Sequence, residues 1–262
     1  MLRNKRHIMI AISLQSGSNG NCVYVECGST RLLVDAGISG LAAQRRLERH
    51  GRDIRAVTAV LISHDHRDHI GCAGVYSRKF NLPIHASPAT IDAARRIRLG
   101  RIDTLGAFTP GDTLHFGDLA VETIPTPHDA ADGAAFVVTD GHRRLGILTD
   151  LGHVFDGLAH TVSTLDAVFL ESNYDDDMLR TGPYPWPLQQ RIRGPRGHIS
   201  NRESADLLHT AASPRLRWAV LSHLSEQNNH PHIALETHRE IVSSHLPLHV
   251  ASRYDASEMF TV

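Results

Sequence analysis

The chain has 262 residues, enough for one large domain or two small ones, and 41% of them are hydrophobic, ample for a buried core. Its 27 basic and 28 acidic residues leave a formal net charge of −1, which excludes a global field drawing it to nucleic acid or membrane; an anionic ligand has to be met by a local patch. No apolar run reaches the roughly 18 residues of a bilayer-spanning helix, so no membrane partner is expected. In chain order, residues 1–7 read as a short basic tail, and the apolar stretch behind them is too short for a signal-peptide core. Residues 8–14, 21–27 and 31–35 read as short strands separated by turns rich in Gly, Ser and Asn. Ser39 then caps a helix with a stripe through Leu41 and Leu47 that Gly51 ends. Residues 56–63 form a continuous apolar run, the pattern of a strand buried on both faces. A helix over 68–80 follows, closed by Asn81, then a brief strand over 83–86 and a helix over 88–98 capped by Ser87.

Over residues 108–125 the pattern becomes strand, turn, strand, with Pro110-Gly111-Asp112 and Gly117-Asp118 as turns. Residues 134–139 and 143–149 flank Asp140-Gly141, a hairpin signal. A buried strand is expected over 167–170, and a helix, a strand and a helix over 201–212, 217–222 and 232–246. Residues 173–200, rich in Pro, Gly and Arg, read as irregular. Strands and helices interleave without linker or repeat, so an α/β sandwich in one domain over 1–262 is the simplest architecture. Three cysteines, Cys22, Cys27 and Cys72, fit a reducing compartment, and a cytoplasmic location is expected.

The 19 histidines are about three times average usage. Most are expected at the surface; His50, His142, His209, His238, His245 and His249 read as surface or partly packed, and Cys72 as core. The exception is His64-Asp65-His66-Arg67-Asp68-His69, directly after the apolar run 56–63. Metal ligands are imidazoles and carboxylates, and strand ends are where sites are built. A tight turn there aims His64 and His66 at one ion, while Asp68 and His69 serve a second. An ion needs about four ligands. Further candidates follow other predicted strands: His128 in Thr126-Pro127-His128-Asp129, Asp150 in Thr149-Asp150-Leu151-Gly152, and His223 in Leu221-Ser222-His223.

The set His64-x-His66-x-Asp68-His69 with His128, Asp150 and His223 resembles the metallo-β-lactamase fold, a four-layer αββα sandwich, in its phosphodiesterase and nuclease branch. Asp35, in Leu33-Val34-Asp35-Ala36-Gly37, is similar to that fold's first motif. The resemblance implies His64, His66 and His128 on one divalent ion, Asp68, His69 and His223 on the other, Asp150 bridging, and Asp35 orienting the cluster. Ser16-Gly17-Ser18-Asn19-Gly20-Asn21, Leu170-Glu171-Ser172-Asn173, Gly182-Pro183-Tyr184-Pro185-Trp186, Gly197-His198-Ile199-Ser200-Asn201 and the run from His223 to Asn229 resemble the YycJ/WalJ group, nearly end to end. That implies a 5′→3′ exonuclease on DNA, with RNA the less favoured nucleic acid. Tyr174 departs from the group's usual His. No inserted cap domain is visible, so enclosure of a substrate falls to short loops or a second subunit in a homodimer.

Two ions roughly 3.5–4 Å apart suit attack by a bridging hydroxide on a phosphodiester. Asp68 and His198 are the catalytic candidates, His198 as the proton donor to the leaving oxygen. Ser200, Asn201 and the backbone N–H groups of the following helix, which Asn201 is read as capping, are candidates for holding phosphate. So are Ser18 and Asn19 in the glycine-rich loop, and Arg191, Arg193 and Arg196 beside Tyr184 and Trp186. Zinc, manganese and iron all suit mixed His/carboxylate ligation. Competing readings are a small-molecule phosphodiesterase, a thioester or lactone hydrolase, a non-catalytic metal-binding protein and a redox di-iron protein. The last usually has Glu where His66 stands.

Overall fold

A computed structural model describes residues 7–242 and 244–262. The basic tail expected at the start falls, apart from His7, outside the described residues. Strands β1 (Ile10–Gln15), β2 (Cys22–Cys27) and β3 (Thr30–Val34) run antiparallel, and β4 (Ala59–Leu61), β5 (Ile84–Ala86) and β6 (Leu105–Ala107) extend the sheet in parallel. Helices α1 (Gly40–Arg49), α2 (Arg67–Ile70), α3 (Ala73–Phe80) and α4 (Pro88–Ala94) connect these parallel strands. The second sheet repeats the plan. Strands β7 (Thr113–Phe116), β8 (Leu119–Pro125), β9 (Ala134–Thr139) and β10 (Arg144–Leu148) are antiparallel, and β11 (Ala167–Glu171), β12 (Ala219–Ser222) and β13 (Leu248–Val250) parallel. Helices α5 (Leu158–Ser163), α6 (Asp176–Thr181), α7 (Trp186–Arg193), α8 (Asn201–Ala211) and α9 (Pro231–Ile241) belong to this half, and β14 (Phe260–Thr261) returns to pair with β1.

Side-chain alternation builds the layers. Val23, Val25, Leu32, Val34 and Leu61 of the first sheet meet Phe136, Val138, Leu145, Ile147 and Phe169 of the second in one central core. The alternate residues Tyr24, Leu33 and Val60 face Leu47, Tyr76 and Phe80 of α1 and α3. Val137, Leu148, Val168 and Leu170 face Leu158, Val162, Ala205 and Leu208 of α5 and α8. The result is the αββα sandwich that the resemblance implies.

Several boundaries differ, each for a physical reason. The run 56–63 pairs as strand only over Ala59–Leu61, because residues 54–56 coil into a 3-10 turn capped by Asp53. The helix expected over 68–80 is split between α2 and α3. In a continuous helix Cys72 N–H would donate to Asp68 O, but that oxygen accepts from Asn21 N at 2.8 Å, and Cys72 N–H turns to Ala36 O at 2.8 Å. His69 O is likewise taken by Ala36 N–H at 2.7 Å. Gly37 permits this approach, since a Cβ there would lie 1.7 Å from Asp68 O. The region 173–200, read as irregular, contains α6 and α7; Asp175 caps the first and Pro185 precedes the second, short elements whose turn residues masked the helical period. Ser200, not Asn201, caps α8, in a reciprocal capping box with Glu203. The last helix stops at Ile241, within the 232–246 expected. His238 is fully buried rather than partly packed, and Cys72 is only half-buried at the edge of the core.

Candidate metal centre

The ligand-type residues converge at one end of the sandwich because the strands end there. Three of those ends share a backbone feature: Asp35 after β3, Asp150 after β10 and His223 after β12 have φ of 68°, 57° and 56°. Non-glycine residues rarely adopt this left-handed region, which costs of order 1 kcal/mol or more and persists where surroundings over-determine it. Here each turn swings a side chain inward, and all three residues are buried.

A set of oxygen acceptors fixes the imidazoles. His69 Nδ1–H donates to Asp35 Oδ2 at 2.7 Å. Ser63 donates its hydroxyl proton to the same carboxylate, with Oγ 2.9 and 3.0 Å from its two oxygens, and lies 2.9 Å from His64 Nδ1 as acceptor. His128 Nδ1–H donates to Gly197 O at 2.8 Å, and His223 Nδ1–H to Asn21 Oδ1 at 3.1 Å. With Nδ1 occupied in each ring, Nε2 is the nitrogen that faces the interior of the site, where at His69 the Asn21 amide nitrogen also approaches it to 3.0 Å; this is the arrangement in which an imidazole offers a lone pair to a metal.

The inward atoms form tight groups. Ligand atoms of His64, His66 and His128 lie within 4.8 Å of one another, as do those of Asp68, His69 and His223. Asp150 stands between these trios, grouping with His64 and His69 on one side and with His128 and His198 on the other. Its Oδ2 and His64 Nε2 are buried with no hydrogen-bond partner, and unpartnered buried polar atoms are costly. Such atoms, in a donor set of imidazoles and carboxylates, fit divalent cations.

Electrostatics give the same picture. Burial and the neighbouring His69 push the His64 imidazole well below its usual pKa, so it stays neutral and can ligate. Burial pulls His69 the same way, but the carboxylates of Asp150, Asp35 and Asp68 outweigh it and hold a proton there, a positive charge that a cation replaces. Burial would raise Asp150, yet the imidazoles of His223, His69, His64 and His128 hold its carboxyl well below the usual range.

A cavity of about 220 Å³ opens onto this cluster. His66, Asp68, His128, Asp150, His198 and His223 form its floor; Ser18, Asn173 and Ser225 its rim; Tyr184, Leu188, Arg191 and Ile192 its cover. Larger cavities of about 490 and 730 Å³ lie elsewhere, around Arg52 and around Arg143, away from every ligand cluster found among the described residues. His198 belongs to the floor, with Nδ1–H donating to Glu171 Oε1 at 2.6 Å. Burial lowers its pKa, but Glu171's charge and hydrogen bond carry it above the usual value.

The other sequence candidates separate. Ser18 and Arg191 line the cavity, whereas Asn19, Arg193, Arg196, Ser200 and Asn201 do not. Asn19 donates to Arg253 O, Arg193 pairs with Asp176 at 3.2 Å, Ser200 caps α8, and Asn201 is buried between Ser172 and Asn229. Tyr174 is buried and bridges to Ser200. The sequence pointed to no role for Ser63, Glu171 or Asp129, and to none for Asn21 beyond its place in the glycine-rich loop offered to phosphate. Glu171 had a signal, a carboxylate ending an apolar strand that has to find a buried donor; it holds both His198 and Leu151 N–H, the latter at 2.9 Å. Asp129 takes Arg191 Nε–H at 2.5 Å while its other oxygen lies 3.4 Å from His128 Nε2.

The Beta-lactamase superfamily domain matches residues 30–224. The chain is 36% identical to exodeoxyribonuclease YycJ of Bacillus anthracis over 84% of each chain. It is also 36% identical to exodeoxyribonuclease WalJ of Streptococcus pneumoniae, over 82% of this chain and 81% of that one. Among solved structures, the metallo-beta-lactamase fold protein YhfI from Bacillus subtilis superposes with a TM-score of 0.77 at 18% identity, covering 98% of this chain and all of that one. Fold, ligand cluster and sequence agree: the chain belongs to the metallo-β-lactamase superfamily, in the group of YycJ and WalJ.

Proposed function

We propose that this protein is a two-metal phosphodiester hydrolase, a DNA exonuclease acting from the 5′ end. The observation that carries the reading is the pair of ligand trios with the Asp150 carboxylate between them; the similarity to two exodeoxyribonucleases supports the substrate. His64, His66 and His128 would hold one ion, Asp68, His69 and His223 the other, and Asp150 both. When bound, two divalent ions supply positive charge to phosphoryl oxygens and lower the pKa of water. Zinc or manganese suits the donors, and the chain is read as acting as one domain.

The protein's own groups do the rest. Asp35, through Ser63 and His69, keeps the imidazoles aimed inward. Asp68, whose carboxyl is held below its usual pKa by His69 despite burial, stays an acceptor and orients the attacking water. His198 carries its proton on Nε2 toward the leaving oxygen, while Glu171 fixes the ring through Nδ1 and stabilises the imidazolium. Arg191 supplies a local cation that the overall charge does not.

The deciding experiment is a substrate panel with protein reconstituted in zinc or manganese: 5′-phosphorylated and 5′-hydroxyl DNA and RNA, a small diester and an acyl thioester. Release of mononucleotides from 5′-phosphorylated DNA, abolished by a chelator and restored by metal, is expected. Thioester turnover without diester cleavage would replace this reading.

A further inference from the structure

The cover over the metal cluster carries an apolar strip that no core claims. Leu188 and Ile192 stand one turn apart on α7 with Arg191 beside them, Tyr184 lies in the segment just before the helix, and all four line the cavity. Tyr184, Leu188 and Ile192 are half-buried, yet none belongs to a hydrophobic cluster among the described residues. What they face is the cavity, whose opposite wall is imidazole and carboxylate. At about 220 Å³ it is smaller than the roughly 300–1,000 Å³ of pockets that enclose drug-sized ligands. A single base is of that size, whereas a base pair stacked on its neighbour is larger than the space beside the cluster.

A nucleotide has the two-part chemistry that matches, a flat apolar base and an anionic phosphate. We propose that Tyr184, Leu188 and Ile192 form a subsite for a single nucleobase, so that the terminal nucleotide of a duplex leaves its pair and its stack before its phosphodiester reaches the metal cluster. The proposal rests on the phosphodiesterase reading above and adds that an unpaired terminus is the species bound. The Tyr184 ring offers a face to any base, since stacking on an aromatic tolerates sequence. Arg191, on the same helical face, sets a cation at the edge of the strip where phosphate follows base. Unpairing costs least where the terminal pair is already mismatched, so the end of the duplex, more than its sequence, should govern the rate.

The test uses metal-loaded full-length protein and three 5′-phosphorylated duplexes: one with a matched terminal pair, one with a terminal mismatch, and one with its terminal pair covalently crosslinked. The mismatched end should be cut about tenfold faster in kcat/KM than the matched one, the value of about one stacked step, and the crosslinked end not at all. Independently of turnover, 2-aminopurine at the terminal position should change in fluorescence when metal-free protein binds, and should be brighter on Tyr184→Ala than on the native protein, reporting exchange of the duplex stack for the Tyr184 ring. Tyr184→Ala combined with Leu188→Ala should raise KM for DNA severalfold more than KM for a small diester. Equal cutting of all three duplexes with no fluorescence change overturns the base subsite while leaving a nuclease. Absence of hydrolysis on any DNA overturns the phosphodiesterase reading beneath it.

Discussion

The floor and the cover of the cavity are built on opposite terms. In the floor and directly beneath it, His64, His69, His128 and His223 are at most 4% exposed, and an acceptor at Nδ1 fixes each ring. In the cover, α7 has no buried residue, and Trp186 at its start is 70% exposed. The floor has a single arrangement, held by strand ends in strained backbone, and suits the geometric demands of metal ligation. The cover is held by polar contacts, Arg191 on Asp129, Arg193 on Asp176 and His198 N–H on Ile192 O at 2.9 Å, which leave Leu188 and Ile192 outside any core among the described residues. Precision is concentrated where ligand atoms must converge, and tolerance where a polymer of varied sequence has to enter.

That contrast predicts the steepest loss from a residue beneath the floor that never touches substrate. Asp35→Asn removes the carboxylate that accepts from both Ser63 and His69, so the amide leaves one of those donors poorly matched. Metal affinity should fall about 10–100-fold, the usual consequence of losing a carboxylate behind a ligating histidine. Competition with a chromophoric chelator measures it directly. Unchanged affinity would mean that the ring orientations are set by packing alone.

Much of this floor was legible in the sequence, because ligand chemistry is concentrated in side chains that follow apolar runs. His64 to His69, His128, Asp150 and His223 were all identifiable from type and position, and the sandwich from interleaved periodicities. The supporting atoms were less visible. Asn21 reads as the end of a glycine-rich loop and the start of a strand until its side-chain amide is seen against His223 and Asp68 O of α2, and Gly197 acts through a carbonyl that no side-chain pattern encodes. The cover was hidden for another reason: α7 begins at Pro185-Trp186-Pro187 and ends before Gly194-Pro195, so its single helical face is too short for a period to emerge. Asn201, chosen for its place at a helix start, is turned inward by Ser172 and Asn229.

Behind the floor, α8 and α9 carry a pH limit of their own. His238 on α9 lies fully buried, donating through Nδ1 to Ala234 O at 2.8 Å, with Ser204 of α8 at 3.1 Å from Nε2. Burial lowers its pKa to about 4. A histidine depressed in the folded state binds its proton more readily when unfolded, so its contribution is complete above about pH 6.5 and is lost as pH falls toward 4. The full change is worth about 3 kcal/mol. Urea midpoints followed from pH 7 to 4 should fall more steeply for the native protein than for His238→Gln, the difference cancelling the titration of the other histidines. Parallel curves would show that a proton at His238 is accommodated, and that the back of the floor is as adjustable as the cover.

The smallest effect is expected at Arg191, and it sharpens the contrast from the other side. The guanidinium is exposed and pairs with Asp129, a carboxylate 3.4 Å from His128 Nε2. Replacing it with alanine removes a cation from the cavity and leaves that carboxylate's charge uncompensated toward an arriving phosphate. Both changes act on capture, so KM for DNA should rise about threefold to tenfold, and the slope of log affinity against log salt should flatten by about 1. Metal content and unfolding midpoint should not move, because no core or ligand contact is lost. Arg191→Lys keeps the charge but not the planar fork, and should recover the salt slope more fully than KM. A loss of metal in Arg191→Ala would show instead that the ion pair reaches through Asp129 to hold His128, joining the cover to the floor as one rigid unit.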